Sequence, residues 1–120
     1  MKLRIKGDSI RLRLMQTDVQ NLQEQGQVTA RLHFPAGNAL VYKLEVAEAY
    51  NVVYTGDTLL VSIPEKAALD WMASEELSLK RHIELAEGQL FLLIEKDLAC
   101  IIEREHEDES DAFPNPLSEG

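Results

Sequence analysis

Apolar and polar positions alternate with a period of two along most of this chain, and the alternation restarts after each glycine-bearing turn. Leu3 and Ile5 alternate with Lys2, Arg4 and Lys6, and Ile10, Leu12 and Leu14 alternate with Arg11 and Arg13. Gly7-Asp8 between them is a two-residue hairpin signal. That turn predicts a register, with Ile5 opposite Ile10 and Leu3 opposite Leu12. On the other face Arg4 then meets Arg11 and Lys2 meets Arg13. Like charges directly opposite each other are destabilising, so the pattern predicts either an acidic counterpart or splayed strands.

Further along, Thr17 and Gln20 have the spacing of a capping box, which predicts a thin helix ending at Gly26. Val28, Ala30, Leu32 and Phe34 mark a half-buried strand, Pro35-Ala36-Gly37-Asn38 a turn, and Leu40, Tyr42, Leu44 and Val46 the next strand. Ala47 to Asn51 reads as a connector. Val52–Tyr54 and Thr58–Ile63 flank Thr55-Gly56-Asp57 as a second hairpin. Pro64 suits the first turn of a second helix carrying Ala67, Ala68, Leu69, Trp71 and Met72 to about Ser74. Leu77–Leu85 is a strand interrupted by Lys80-Arg81-His82. Leu90–Ile94 is apolar on both faces and predicts a central, buried strand. Glu95-Lys96-Asp97 reads as a turn, and Leu98–Ile102 as a last strand.

These elements predict an α+β fold: a mostly antiparallel sheet, or a partly closed barrel, with two short helices. Gly7-Asp8-Ser9-Ile10 is similar to Gly56-Asp57-Thr58-Leu59. Either Gly-Asp hairpins occur twice by their commonness, or two ββα units pack about a pseudo-two-fold axis with a cleft between them. The expected organisation is one domain over residues 1–102 and an acidic, proline-containing tail over residues 103–120. Residues 103–111 hold six acids and one arginine, a net of −5, and Ala112-Phe113-Pro114-Asn115-Pro116 follows.

The 120 residues are enough for one cored domain, and the 45% hydrophobic content is that of a globular protein. A net charge of −9 disfavours general nucleic-acid binding and an anionic membrane surface. Leu90–Ile94 is too short to cross a bilayer. A lone Cys100 and the lack of an apolar leader point to the cytoplasm. Cys100 sits among Leu98, Ala99, Ile101 and Ile102 and reads as a small buried hydrophobe. His33 and His82 have no partners that make a triad readable. Cys100, His106, Glu107, Asp108 and Asp111 lack paired zinc spacing, and Asp108–Asp111 is not a calcium loop. The expectation is therefore no catalytic set, no metal and no cofactor.

What remains is the hairpin. Lys2, Arg4, Lys6, Arg11 and Arg13 form either a solvated face, a site for the tail, or an anion site built on bidentate guanidinium groups. The layout is similar to that of the triphosphate-tunnel enzymes, which use cationic strands inside an antiparallel barrel. Their paired-glutamate-then-lysine strand motif is absent from residues 1–14. In the tail, Phe113, Pro114 and Pro116 would gain from docking, with Asp108 and Asp111 laid across the hairpin.

The opening Met1–Leu14, the Glu95-Lys96-Asp97-Leu98-Ala99-Cys100 run and the Asp108–Pro116 ending together resemble a family of short bacterial proteins of unknown function. Leu98 stands where the family pattern has an aromatic. The resemblance implies no activity or substrate, but it implies that the acidic ending belongs to the protein. The expected function is a non-enzymatic binding or interaction module, with a protein partner or a homodimer in view. The alternative is a phosphate, polyphosphate or nucleotide binder, or a small phosphate-handling enzyme, using the hairpin cations.

Overall fold

A computed structural model of the chain describes residues 1–97. The expected strand Leu98–Ile102, Cys100 and the tail lie outside the described residues. The elements run β1 (Lys2–Ile5), β2 (Ser9–Leu14), α1 (Gln16–Gln25), β3 (Gln27–His33), β4 (Ala39–Ala47), β5 (Asn51–Thr55), β6 (Thr58–Pro64), α2 (Glu65–Ala73), β7 (Ser78–Glu84) and β8 (Gln89–Lys96).

The first hairpin has the register its alternation demands: Lys2 pairs with Arg13, Leu3 with Leu12, Arg4 with Arg11 and Ile5 with Ile10. Gly7 turns the chain at φ 55° and its counterpart Gly56 at φ 62°, a left-handed conformation that glycine takes without a Cβ clash. Helix α1 starts earlier than its capping-box spacing predicts. Asp18, not Gln20, reaches back, its Oδ2 accepting the Met15 amide at 2.9 Å and facing the Met1 ammonium at 2.8 Å. The helix stops at Gly26, as expected, with φ 76° and its amide on the Leu22 carbonyl. Pro64 ends β6 in extended backbone and α2 begins at Glu65.

Most strand pairs are antiparallel, as expected, but the described strands form neither one sheet nor a partly closed barrel. They form two four-stranded mixed sheets, ordered β1-β2-β8-β7 (sheet A) and β3-β4-β6-β5 (sheet B). Within each hairpin the pairing is antiparallel, but β2 runs parallel to β8 and β4 parallel to β6. A period of two specifies faces and says nothing about the direction of a distant partner, so the parallel joints are invisible to it.

The repeating unit is ββαββ rather than ββα: β1-β2-α1-β3-β4, then β5-β6-α2-β7-β8. Each sheet takes one hairpin from each half, so the halves interlock. The joints match in detail. Phe91 N donates to the Asp8 carbonyl at 2.9 Å, and Val41 N to the Asp57 carbonyl at 2.8 Å. Between the halves lies one apolar core, built from Leu12, Leu14, Leu92 and Ile94 of sheet A, Leu44, Val61 and Ile63 of sheet B, Leu22 of α1 and Trp71 of α2. Trp71 is 1% exposed and its Nε1 donates to the Leu77 carbonyl at 3.2 Å, so its one polar atom is satisfied. The Tyr42 hydroxyl of β4 donates to the Met1 carbonyl at 3.2 Å, a polar tie between the first segment and sheet B.

Interlocking makes the halves one cooperative unit. Leu14 and Ile63 occupy the same place in the two halves and are fully buried. Leu14→Ala and Ile63→Ala are each expected to cost about 2–5 kcal/mol. Each should shift a single urea transition, with circular dichroism and tryptophan fluorescence coincident. A second, separate transition in either variant would contradict the shared core.

Candidate cationic sheet face

Residues in register across a sheet share a face, so the pairing fixes what surrounds the hairpin cations. One row reads Lys2, Arg13, Glu95, Ser78; the next Arg4, Arg11, Leu93, Lys80; the third Ser9, Phe91, His82. The outer face of sheet A therefore gathers Lys2 and Arg4 from β1, Arg11 and Arg13 from β2, and Lys80 and His82 from β7. Lys6 lies just past the end of β1, exposed, its amide on the Ser9 carbonyl. Phe91 and His82 pack ring to ring with centroids 5.0 Å apart. Leu93 is buried at the middle of the face. Glu84 stands at the far corner, paired with Gln89.

Lys2, Leu3, Arg4, Arg11 and Arg13 line one concavity of about 310 Å³. Four of the five hairpin cations thus converge. The counter-charge is built into the sheet. Glu95 Oε1 accepts from Arg13 Nε at 2.8 Å and lies 3.4 Å from Arg11 Nε. Asp97 Oδ2 faces Lys2 Nζ at 3.3 Å. Glu95 and Arg13 are about four-fifths buried at the side chain, with 20% and 18% exposed, so this pair is less screened than a surface ion pair. The acidic partner demanded by the facing cations comes in part from the body of the fold.

Sequence reasoning missed both acids because Glu95-Lys96-Asp97 was expected to turn. Glu95 and Lys96 instead continue β8. The missed signal was one further step of alternation, Leu93 to Glu95. The tail positions Asp108, Asp111, Phe113, Pro114 and Pro116 lie outside the described residues. His33 sits at the end of β3 on the other sheet, away from His82. Among the described residues, no group of three or more His, Cys, Asp and Glu side chains is placed to hold a metal ion. No helix among them is long and apolar enough to cross a membrane.

The second half supplies an internal comparison. At the positions matching Lys2, Arg4, Arg11 and Arg13, the β5–β6 hairpin carries Asn51, Val53, Leu60 and Ser62. The glutamate position is kept: Glu45 lies in register with Ser62, and Ser62 Oγ donates to Glu45 Oε2 at 3.2 Å. The same hairpin frame is thus built without cations in the second half.

Glu95→Gln keeps the side-chain shape and removes the charge shared by Arg11 and Arg13. The expected cost in urea unfolding at low salt is about 1–3 kcal/mol. The cost should shrink at about 1 M NaCl, where a screening length of ~3 Å mutes the repulsion among the facing cations. A cost independent of salt would contradict the role of Glu95 as counter-charge.

Comparison with known proteins finds no matching curated protein and no matching solved structure. A family model does match, and it spans residues 1–117, nearly the whole chain. The described fold and its cationic sheet face are accordingly those of a member of DUF7009, a family of unknown function, to which this chain belongs.

Proposed function

We propose that this protein is a non-enzymatic interaction module of the bacterial cytoplasm, and that the outer face of sheet A docks an acidic, extended protein segment. The observation that carries this reading is the divergence of the two hairpins. One fold position holds Lys2, Arg4, Arg11 and Arg13 in one half and Asn51, Val53, Leu60 and Ser62 in the other. Cations that the matching hairpin does without, facing each other at a cost, are explained by a partner that uses them. Lys80 and His82 widen the positive surface across β7, and Phe91 with Leu93 gives it an apolar centre. A strip of this length suits a chain segment with spaced carboxylates better than a compact ion. Arg11 and Arg13 share Glu95, and Arg4, Lys6 and Lys80 extend the positive charge around them, which favours a spread-out partner over a compact one.

The acidic run 103–111 of the same chain is the first candidate occupant, with Asp108 and Asp111 over the cations and Phe113, Pro114 and Pro116 anchoring it. Two facts support it. The run carries −5, and the Asp97 amide donates to the Leu14 carbonyl at 2.8 Å. Asp97, the last described residue, thus stands at the end of the sheet where Lys2 and Arg13 lie. In this reading the tail competes with an external acidic segment.

The test is fluorescence anisotropy with a labelled peptide of about ten Asp and Glu residues in low salt. The full chain should bind it, and binding should weaken steeply as salt rises. Removing residues 103–120 should tighten binding several-fold, and Arg4→Glu with Lys80→Glu should abolish it. Inorganic polyphosphate bound in preference to the peptide would move the assignment to a phosphate ligand, for which the shared concavity provides the site. No binding of the peptide to the truncated chain would overturn the proposal.

A further inference from the structure

An edge strand exposes a row of backbone donors and acceptors, and proteins usually guard it with charge, proline or a bulge. Among the described residues, sheet A ends in β1 and β7, and sheet B in β3 and β5. Strand β1 carries Lys2 and Arg4, β7 carries Lys80, Arg81 and Glu84, and β3 carries Arg31. Strand β5, Asn51-Val52-Val53-Tyr54-Thr55, carries no charge and no proline. Its counterpart in the first half is the heavily charged β1, so the guard is missing at one of two equivalent edges. Tyr54 is 66% exposed and Val53 39% exposed.

The hairpin fixes which groups point outward. In a two-residue hairpin the residues flanking the turn, here Thr55 and Thr58, bond to each other across it, so 51, 53 and 55 bond inward to β6. Val52 and Tyr54 then present their N–H and C=O to the open side. The geometry agrees: the outward Val52 N–H donates to the Asn51 side-chain oxygen at 2.9 Å, a local bond that a ladder bond to a second strand would replace.

We infer that β5 is a self-association site, where β5 of a second copy adds antiparallel about a two-fold axis at Val53. This register sets Val53 against Val53, Val52 against Tyr54 and Asn51 against Thr55. The outward groups of Val52 and Tyr54 then exchange backbone bonds, and an aromatic–β-branched pair forms twice on one face. The sequence favours a second copy as occupant. The chain carries −9 overall, yet residues 49–56 hold no charge, so two copies meet there without directly opposed like charges. The central register is also the one that pairs the strand with itself, as an isologous interface requires. The short strand makes a reversible dimer rather than an obligate one. This inference is independent of the cationic face.

Sedimentation velocity of the full chain over rising concentration tests it. The natural chain should shift from monomer toward dimer. Val53→Lys places two ammonium groups opposite each other at the axis and should weaken the dimer by at least about tenfold. Val53→Glu should do the same, while an equimolar mixture of the two variants should recover dimer through Lys–Glu pairs. Far-UV circular dichroism of both variants should match the natural chain. A natural chain that stays monomeric at every concentration, a Val53→Lys variant that still dimerises, or a mixture that stays monomeric would each overturn the inference.

Discussion

The parallel joint between β2 and β8 governs the rest of this structure. It brings the second strand of the chain beside the last described one and closes a sheet whose two hairpins belong to different halves. Through its register Arg13 meets Glu95 and Arg11 meets Leu93. The repulsion built into the first hairpin is thereby answered by a carboxylate from a distant strand. A slip of one residue would turn the arginines to the core and Leu12 and Leu14 to solvent. Core packing and charge pairing therefore specify the same register.

The second joint, β4 with β6, repeats the first with a different outcome. Both place a glutamate beside the inner strand of the neighbouring hairpin: Glu95 facing Arg13, and Glu45 facing Ser62. The repeated frame thus carries two different surfaces. One hairpin spends alternate positions on cations, which guard its edge and charge its face. The other keeps those positions neutral, and among the described residues its edge strand pairs on one side alone. The two proposals rest on this one asymmetry but on different strands, and each stands or falls alone.

Local features of the chain were readable where a single rule fixed them. The Gly7-Asp8 turn and the period of two gave the first hairpin's register residue for residue, and Leu90–Ile94 declared itself a central strand by being apolar on both faces. Gly26 ended α1 as expected. Errors arose where a residue's role depends on a distant partner. Asp18 caps α1 from inside the helix, which the Thr17–Gln20 spacing concealed. Glu95-Lys96-Asp97 looked like a turn because three charged residues follow an apolar run. Glu95 belongs in a strand because Arg13 lies across from it, and nothing local to Glu95 says so. The internal repeat was half visible in Gly7-Asp8 and Gly56-Asp57, but that each sheet draws on both halves follows from long-range pairing alone. Lys80 and His82 read as a basic interruption of their strand, since their shared face with Arg4 and Arg11 depends on the sheet order.

The claim beneath the account of sheet A is that Glu95 neutralises Arg13 across the parallel joint. The most direct measurement is a double-mutant cycle of Arg13→Ala and Glu95→Ala by urea unfolding at low salt. The account predicts a coupling free energy of about 1–3 kcal/mol, with the double variant less destabilised than the two single losses added together. A coupling within about 0.3 kcal/mol of zero, the additivity expected of independent sites, would contradict it.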